Sequence, residues 1–145
     1  MNKKQLEAER YLSRAFKINL RIKSKARMVE ELRELAEKTT ATISDMPKAP
    51  SKSNSRLEDV VVRIVDLQSE IQHDMDELVD LERDIIIRIR AVGEYSIRLQ
   101  TVLELRYLDG MQWSDIAESL ECGIDNVYYL HRRALSLIKI PEALQ

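Results

Sequence analysis

A seven-residue repeat of large aliphatic side chains runs through the middle of the chain at Leu57, Ile64, Ile71, Leu78, Ile85 and Val92. A second apolar line, Val61, Leu67, Met75, Leu81 and Ile89, lies between its members. Five heptad steps with both lines apolar call for a long helix that packs along its length against another helix. At about 1.5 Å per residue such a helix extends about 50 Å, more than a small globular core needs. Three glycines and three prolines among 145 residues leave few places for the tight turns that sheets require. The expected fold class is all-α.

Charge supplies the partner. Residues 1–38 carry eleven basic and six acidic side chains, whereas residues 57–95 carry four basic and eleven acidic. The net charge of -2 therefore hides two opposed blocks. The basic block reads as one helix over about 5–38, with Ala8, Tyr11, Ala15, Ile18, Ile22, Val29, Leu32 and Ala36 on one face and a gap at 25–26. The β-branched run Thr39-Thr40-Ala41-Thr42 closes it. Met46 to Asn54, with Pro47 and Pro50, reads as linker. Ser55 and Glu58 have the spacing of a capping box that starts the second helix, and Gly93 ends or kinks it. The expected arrangement is a long antiparallel, coiled-coil-like helical hairpin over 1–95 with its linker at 39–56. Dimerisation through the second helix competes with this or coexists with it.

Residues 96–145 differ in kind. Leu99, Val102, Leu103 and Leu105–Leu108 predict a short amphipathic helix stopped by Asp109-Gly110. Ser114 is a suitable N-cap for a second helix, with Asp115 in its first turn and Ile116, Ala117 and Leu120 on its apolar face. Glu121-Cys122-Gly123 breaks the chain. A third helix starts near Ile124, faces inward with Val127, Leu130, Ala134, Leu135 and Ile138, and ends at Pro141. Short helices around such a turn give a trihelical helix-turn-helix, with small Ala117 where the two helices cross.

The stretches Leu105-Arg106-Tyr107-Leu108-Asp109-Gly110, Trp113-Ser114-Asp115-Ile116-Ala117 and Val127-Tyr128-Tyr129-Leu130-His131-Arg132-Arg133-Ala134-Leu135 resemble region four of bacterial sigma factors. They are closer still to phage-encoded region-four-like proteins, the ArpU-type late transcriptional regulators and related uncharacterised phage proteins. The resemblance covers about 45 residues. It implies recognition of double-stranded DNA, with the third helix in the major groove and its first residues at the base edges. By position it assigns Ile124, Asp125, Tyr128 and Tyr129 to the DNA-facing side, with Asn126 beside them. Asp125 suits a cytosine amine and Ile124 a thymine methyl, while Arg106, Ser114, Arg132 and Arg133 suit phosphates.

Residues 96–145 nevertheless carry five basic against seven acidic side chains, whereas sequence-independent affinity comes from Lys and Arg. Two readings stay open: weak DNA binding restored by dimerisation, or docking on protein, such as RNA polymerase.

Other residues have plainer readings. Trp113 is expected as a core plug, His131 as a structural histidine and Cys122 as a small filler. The basic stripe Arg10, Arg14, Lys17, Arg21 and Lys25 either tracks phosphates or pairs with the acidic helix; pairing is favoured. The acidic run Asp74, Asp76, Glu77, Asp80 and Asp84 lacks the glycine turn of a calcium loop and reads as a solvated face, so no metal or other cofactor is expected. One cysteine excludes an internal disulfide. No apolar run approaches the roughly 20 residues of a membrane span, and Met1–Glu7 lacks a signal-peptide pattern, so a cytoplasmic location is expected. No phosphate-binding glycine loop, zinc helix or nucleophile motif is present, and no enzyme is expected.

The sequence thus points to a sequence-specific DNA-binding transcriptional regulator of phage or prophage origin, forming a homo-oligomer, with a dimer favoured. The alternatives are a small-terminase-like packaging subunit and a polymerase- or protein-binding module that no longer binds DNA.

Overall fold

The computed structural model describes residues 1–45 and 51–142. Among these, all regular structure is helical. Helix α1 spans Lys3–Leu12, α2 Arg14–Asp45, α3 Ser51–Val92 and α4 Ile97–Leu103. A π-helical turn, Glu104–Leu108, follows, and then come α5, Trp113–Ser119, and α6, Ile124–Leu137.

Several boundaries differ from the sequence expectation. The single helix over 5–38 is interrupted at Ser13, whose N–H bonds to the Glu9 carbonyl and whose own carbonyl accepts from Lys17. Of the linker expected at 39–56, residues 39–45 and 51–56 are helical, and 46–50, with both prolines, lie outside the described residues. Thr39 and Thr40 are helical despite their low propensity, and each hydroxyl bonds back to the carbonyl four residues earlier, at Leu35 and Ala36. Ser55 and Glu58 accordingly lie inside α3, and no capping box starts there.

The chain divides into two compact units, residues 18–78 and residues 1–17 with 79–145. In the first, α2 presents Ile18, Ile22, Lys25, Val29, Leu32, Ala36 and Thr39, all buried or half-buried at alternating spacings of four and three. Leu57, Val60, Ile64, Leu67, Ile71, Asp74 and Leu78 of α3 do the same. Both rows have the 3.5-residue period of a coiled-coil seam. Arg21 bonds Asp74 and Glu77, and Lys25 bonds Asp74, so these segments run antiparallel. Val60 and Asp74, rather than Val61 and Met75, occupy the inner seam; Val61 and Met75 are exposed. The gap at 25–26 is filled by Lys25, and pairing accounts for the last two members of the basic stripe.

The second unit joins both ends of the described chain. Ala8, Tyr11, Leu12 and Ala15 are buried, as are Ile85, Ile89 and Val92 of α3 and the inner faces of α4 and α6. Arg88 ties its parts together: it bonds Asp84 at 2.7 Å, donates to the Lys139 carbonyl and stacks over the Tyr11 ring. Gly93 does end α3, as expected. A side chain there would collide with Gln100 Oε1, 1.8 Å from where its Cβ would lie. Helix α6 stops at Leu137 rather than at Pro141, and the extended residues that follow bury Ile138 and Ile140.

Candidate nucleic-acid interface

The first helix of the motif ends in the π-helical turn, where the Asp109 N–H reaches back five residues to the Glu104 carbonyl and Met111 N–H six to Leu105. The wider turn re-phases the helix face. Gly110 then takes a left-handed conformation, φ +69°, which glycine adopts without steric cost. This is the stop that Asp109-Gly110 predicts.

Helix α5 begins two residues earlier than expected. Its N-cap is Gln112, which makes no side-chain capping bond, and Ser114 is the second helical residue, exposed at the surface. The first helical residue is Trp113, whose ring lies edge-on to His131 at 4.5 Å and to Tyr128 at 5.5 Å. Arg106 covers the same ring at 4.4 Å and donates to the Met111 carbonyl.

Ile116, Ala117 and Val127 form the core between α5 and α6, with Leu105, Met111, Trp113, Leu120 and Cys122 packed around it. Cys122 is thus the filler and Trp113 the plug that the sequence predicts. After Leu120 the Glu121 N–H bonds Glu118 and the Cys122 N–H bonds Ala117, the double bond pattern of a Schellman turn. Its left-handed residue is Glu121, φ +54°.

Below α6 lies a buried polar pair. The Tyr107 hydroxyl and His131 Nε2 are 2.6 Å apart. Burial, aided by the positive charges of Arg106 and Arg132, lowers the His131 pKa to about 4. Burial also raises the Tyr107 pKa well above its ordinary value, with Glu9 acting in the same sense. Both groups therefore stay neutral near pH 7, as a structural histidine should. The residue type alone does not reveal this partnership, because the two lie 24 positions apart.

Of the nine DNA-facing candidates, the structure exposes seven. Ile124, Asp125, Asn126, Tyr129, Arg132 and Arg133 are open on α6, and Ser114 on α5. Asp125, Tyr129 and Arg132 fall on one stripe at steps of four and three, and Arg133 Nη1 steadies the Tyr129 hydroxyl at 3.3 Å. The other two turn inward. Tyr128 is half-buried against Trp113, and Arg106 is held by Trp113 and the Met111 carbonyl. Each finds a neighbour in Trp113 that a helical-wheel projection does not show.

Sequence reasoning does not find the place of α1. The Gln5 side-chain amide donates to the Arg132 carbonyl at 2.9 Å and to Ser136 Oγ at 3.3 Å, so α1 packs on the recognition helix. Its signal is Ala8, Tyr11 and Ala15, which periodicity assigns equally well to the hairpin.

Among the described residues, no three His, Cys, Asp or Glu side chains are grouped to hold a metal ion, and no helix is long and apolar enough to cross a membrane. No curated protein and no solved structure matches the chain. Residues 76–138 match the family model described as sigma-70, region 4. The match takes in the end of α3, which the sequence alone gives to the hairpin, and the helix-turn-helix built by α4, α5 and α6 is sigma-region-four-like, a DNA-binding module.

Proposed function

We propose that the chain is a sequence-specific double-stranded DNA-binding transcriptional regulator of phage or prophage origin, acting in the cytoplasm of its host. The observation that carries this reading is the open stripe Asp125, Tyr129 and Arg132 on the recognition helix of a region-four-like motif. Ile124 and Asn126 flank its start and offer apolar and amide groups to base edges. Ser114 and Arg133 are placed for phosphates. A gel-shift with the DNA upstream of its own gene tests the proposal. A discrete complex that survives excess unrelated DNA supports it; no complex at low salt, with or without RNA polymerase, rejects it.

A second reading is docking on RNA polymerase. The inward turn of Arg106 and Tyr128 favours it, since it withdraws two side chains from the DNA-facing surface of an already acidic module. Tyr129→Ala and Arg132→Ala separate the two. Loss of DNA binding with polymerase capture intact supports the regulator, and the reverse supports docking.

The proposed oligomer is a dimer through the outer face of α3. Val61, Val65, Gln68, Gln72, Met75 and Val79 repeat at steps of four and three, and all are exposed. The row is uncharged, with apolar ends and two central glutamines. Laid antiparallel on a second copy, it pairs apolar with apolar and glutamine with glutamine, as a two-fold interface demands. A dimer by sedimentation that Val65→Glu converts to monomer supports this; a ring of many subunits favours the packaging alternative.

A further inference from the structure

The first turn of α1 lies where the recognition stripe continues. Counting on from Asp125, Tyr129 and Arg132, the next residue on that stripe is Ser136. The Gln5 amide bonds Ser136 Oγ and the Arg132 carbonyl. The same amide fixes the start of α1, because Gln5 Oε1 accepts from the Asn2 N–H at 2.9 Å and Asn2 Oδ1 accepts from the Gln5 N–H at 2.8 Å. One side chain therefore caps α1 and ties it to α6. Lys3 and Lys4 are held in this turn, both exposed. They line a surface cleft with Lys139, which Glu7 and Glu142 also line. Lys3 is 3.9 Å from Glu7, but its side chain is 92 % exposed, so that pairing leaves the ammonium accessible to another anion.

Charge favours the same site. Within the unit, residues 79–145 hold eight basic and eleven acidic side chains, whereas residues 1–17 hold five basic and two acidic. The helix-turn-helix segment lacks the positive charge that phosphate neutralisation needs, and Lys3 and Lys4 in the first turn of α1 bring two positive charges to the end of the recognition helix.

We infer that Lys3 and Lys4 bind backbone phosphates of duplex DNA, so that α1 extends the interface past the C-terminal end of α6 onto the flanking strand. The inference rests on the DNA-binding reading above. Phosphate binding carries no base information, so these lysines set affinity and salt response and leave sequence preference to α6.

The test is fluorescence anisotropy of the full chain on the upstream duplex and on a scrambled duplex, across a salt series. Lys3→Gln with Lys4→Gln is expected to weaken binding to both duplexes by a similar factor, about three- to tenfold, and to flatten the slope of log affinity on log salt by about 1.8, near 0.9 for each phosphate left without its lysine. Lys3→Arg with Lys4→Arg is expected to retain both affinity and slope. If the wild-type chain binds DNA and the glutamine variant matches it in affinity and slope, the inference is overturned while the DNA reading stands. If the wild-type chain binds neither duplex at any salt, both fall.

Discussion

Lys25 Nζ lies 2.7 Å from Asp74 Oδ2, and both residues occupy positions that the heptad pattern reserves for apolar side chains. Asp74 is buried, while the Lys25 side chain keeps about a quarter of its surface in water. The Lys25 hydrogen bond is the main reason why the Asp74 pKa falls below its ordinary value; burial opposes it, and the charges of Lys25, Arg21 and His73 assist. Removing one partner of a buried pair strands the other, whereas replacing both with apolar residues is often neutral or stabilising. Asp74→Ala is therefore expected to cost about 2 kcal/mol in urea unfolding, below the figure for a fully buried pair because Lys25 remains partly hydrated. Lys25→Leu with Asp74→Leu is expected to recover that loss. Because the folded pKa is depressed, the Asp74 contribution is present above about pH 4, the unfolded value, and is lost as pH falls through the lower folded value.

His131 gives a second, separate acid response. Its folded pKa of about 4 lies below the unfolded value of about 6.5, so between these limits the unfolded chain binds the extra proton. Stability is full above pH 6.5 and declines on acidification toward pH 4, by about 3 kcal/mol in all. Melting temperatures from pH 7.5 to 4.5 should show the decline. His131→Gln should be less stable at pH 7.5 but flatter across the range, and an unchanged profile would contradict the assignment.

Glu121 occupies the left-handed position of the turn between α5 and α6. A non-glycine residue there is disfavoured by about 1 kcal/mol. Its side chain is exposed, so little packing is lost by removing it. Glu121→Gly is expected to stabilise the protein by about 0.5–1 kcal/mol, measurable as a higher urea midpoint with unchanged slope. Lower stability would show that the turn derives more from the Glu121 side chain than from relief of backbone strain.

Arg106 makes a prediction opposed to its sequence assignment. As a stacking partner of Trp113 and donor to Met111, it acts within the fold. Arg106→Ala is expected to lower stability by about 1–2 kcal/mol and to leave the salt slope of DNA binding unchanged at temperatures where the variant is folded. A slope flattened by about 0.9 would restore the phosphate role.

Much of the fold is legible from spacing. The apolar repeat on α3, the stop at Asp109-Gly110, the end of α3 at Gly93 and the small Ala117 between α5 and α6 all follow from residue type and period. Periodicity fails where a polar residue does the work of an apolar one. A scan for aliphatic side chains leaves a hole at Lys25 and moves the α3 line to Met75, because the ion pair that completes the seam spans 49 residues. Helix boundaries fail where a helix already under way continues through residues of low propensity, as at Thr39 and Thr40. At the interface, α6 is readable as an exposed face from Ile124 to Arg133, but the inward turns of Arg106 and Tyr128 depend on one ring, Trp113, from another helix. The docking of α1 is hidden because Ala8, Tyr11 and Ala15 fit any helical partner.

The bond from Gln5 to Arg132 joins positions 127 residues apart. During synthesis α1 must therefore wait for almost the whole described chain before its partner exists. Loop-closure entropy rises only with the logarithm of length, about 0.6 kcal/mol per doubling, so the delay is kinetic more than energetic. Pairing α2 with α3 in the meantime shortens the segment that remains to be closed. A nascent chain cut short before α6 would leave α1 with an uncovered apolar face, a feature by which quality control could distinguish unfinished copies from complete ones.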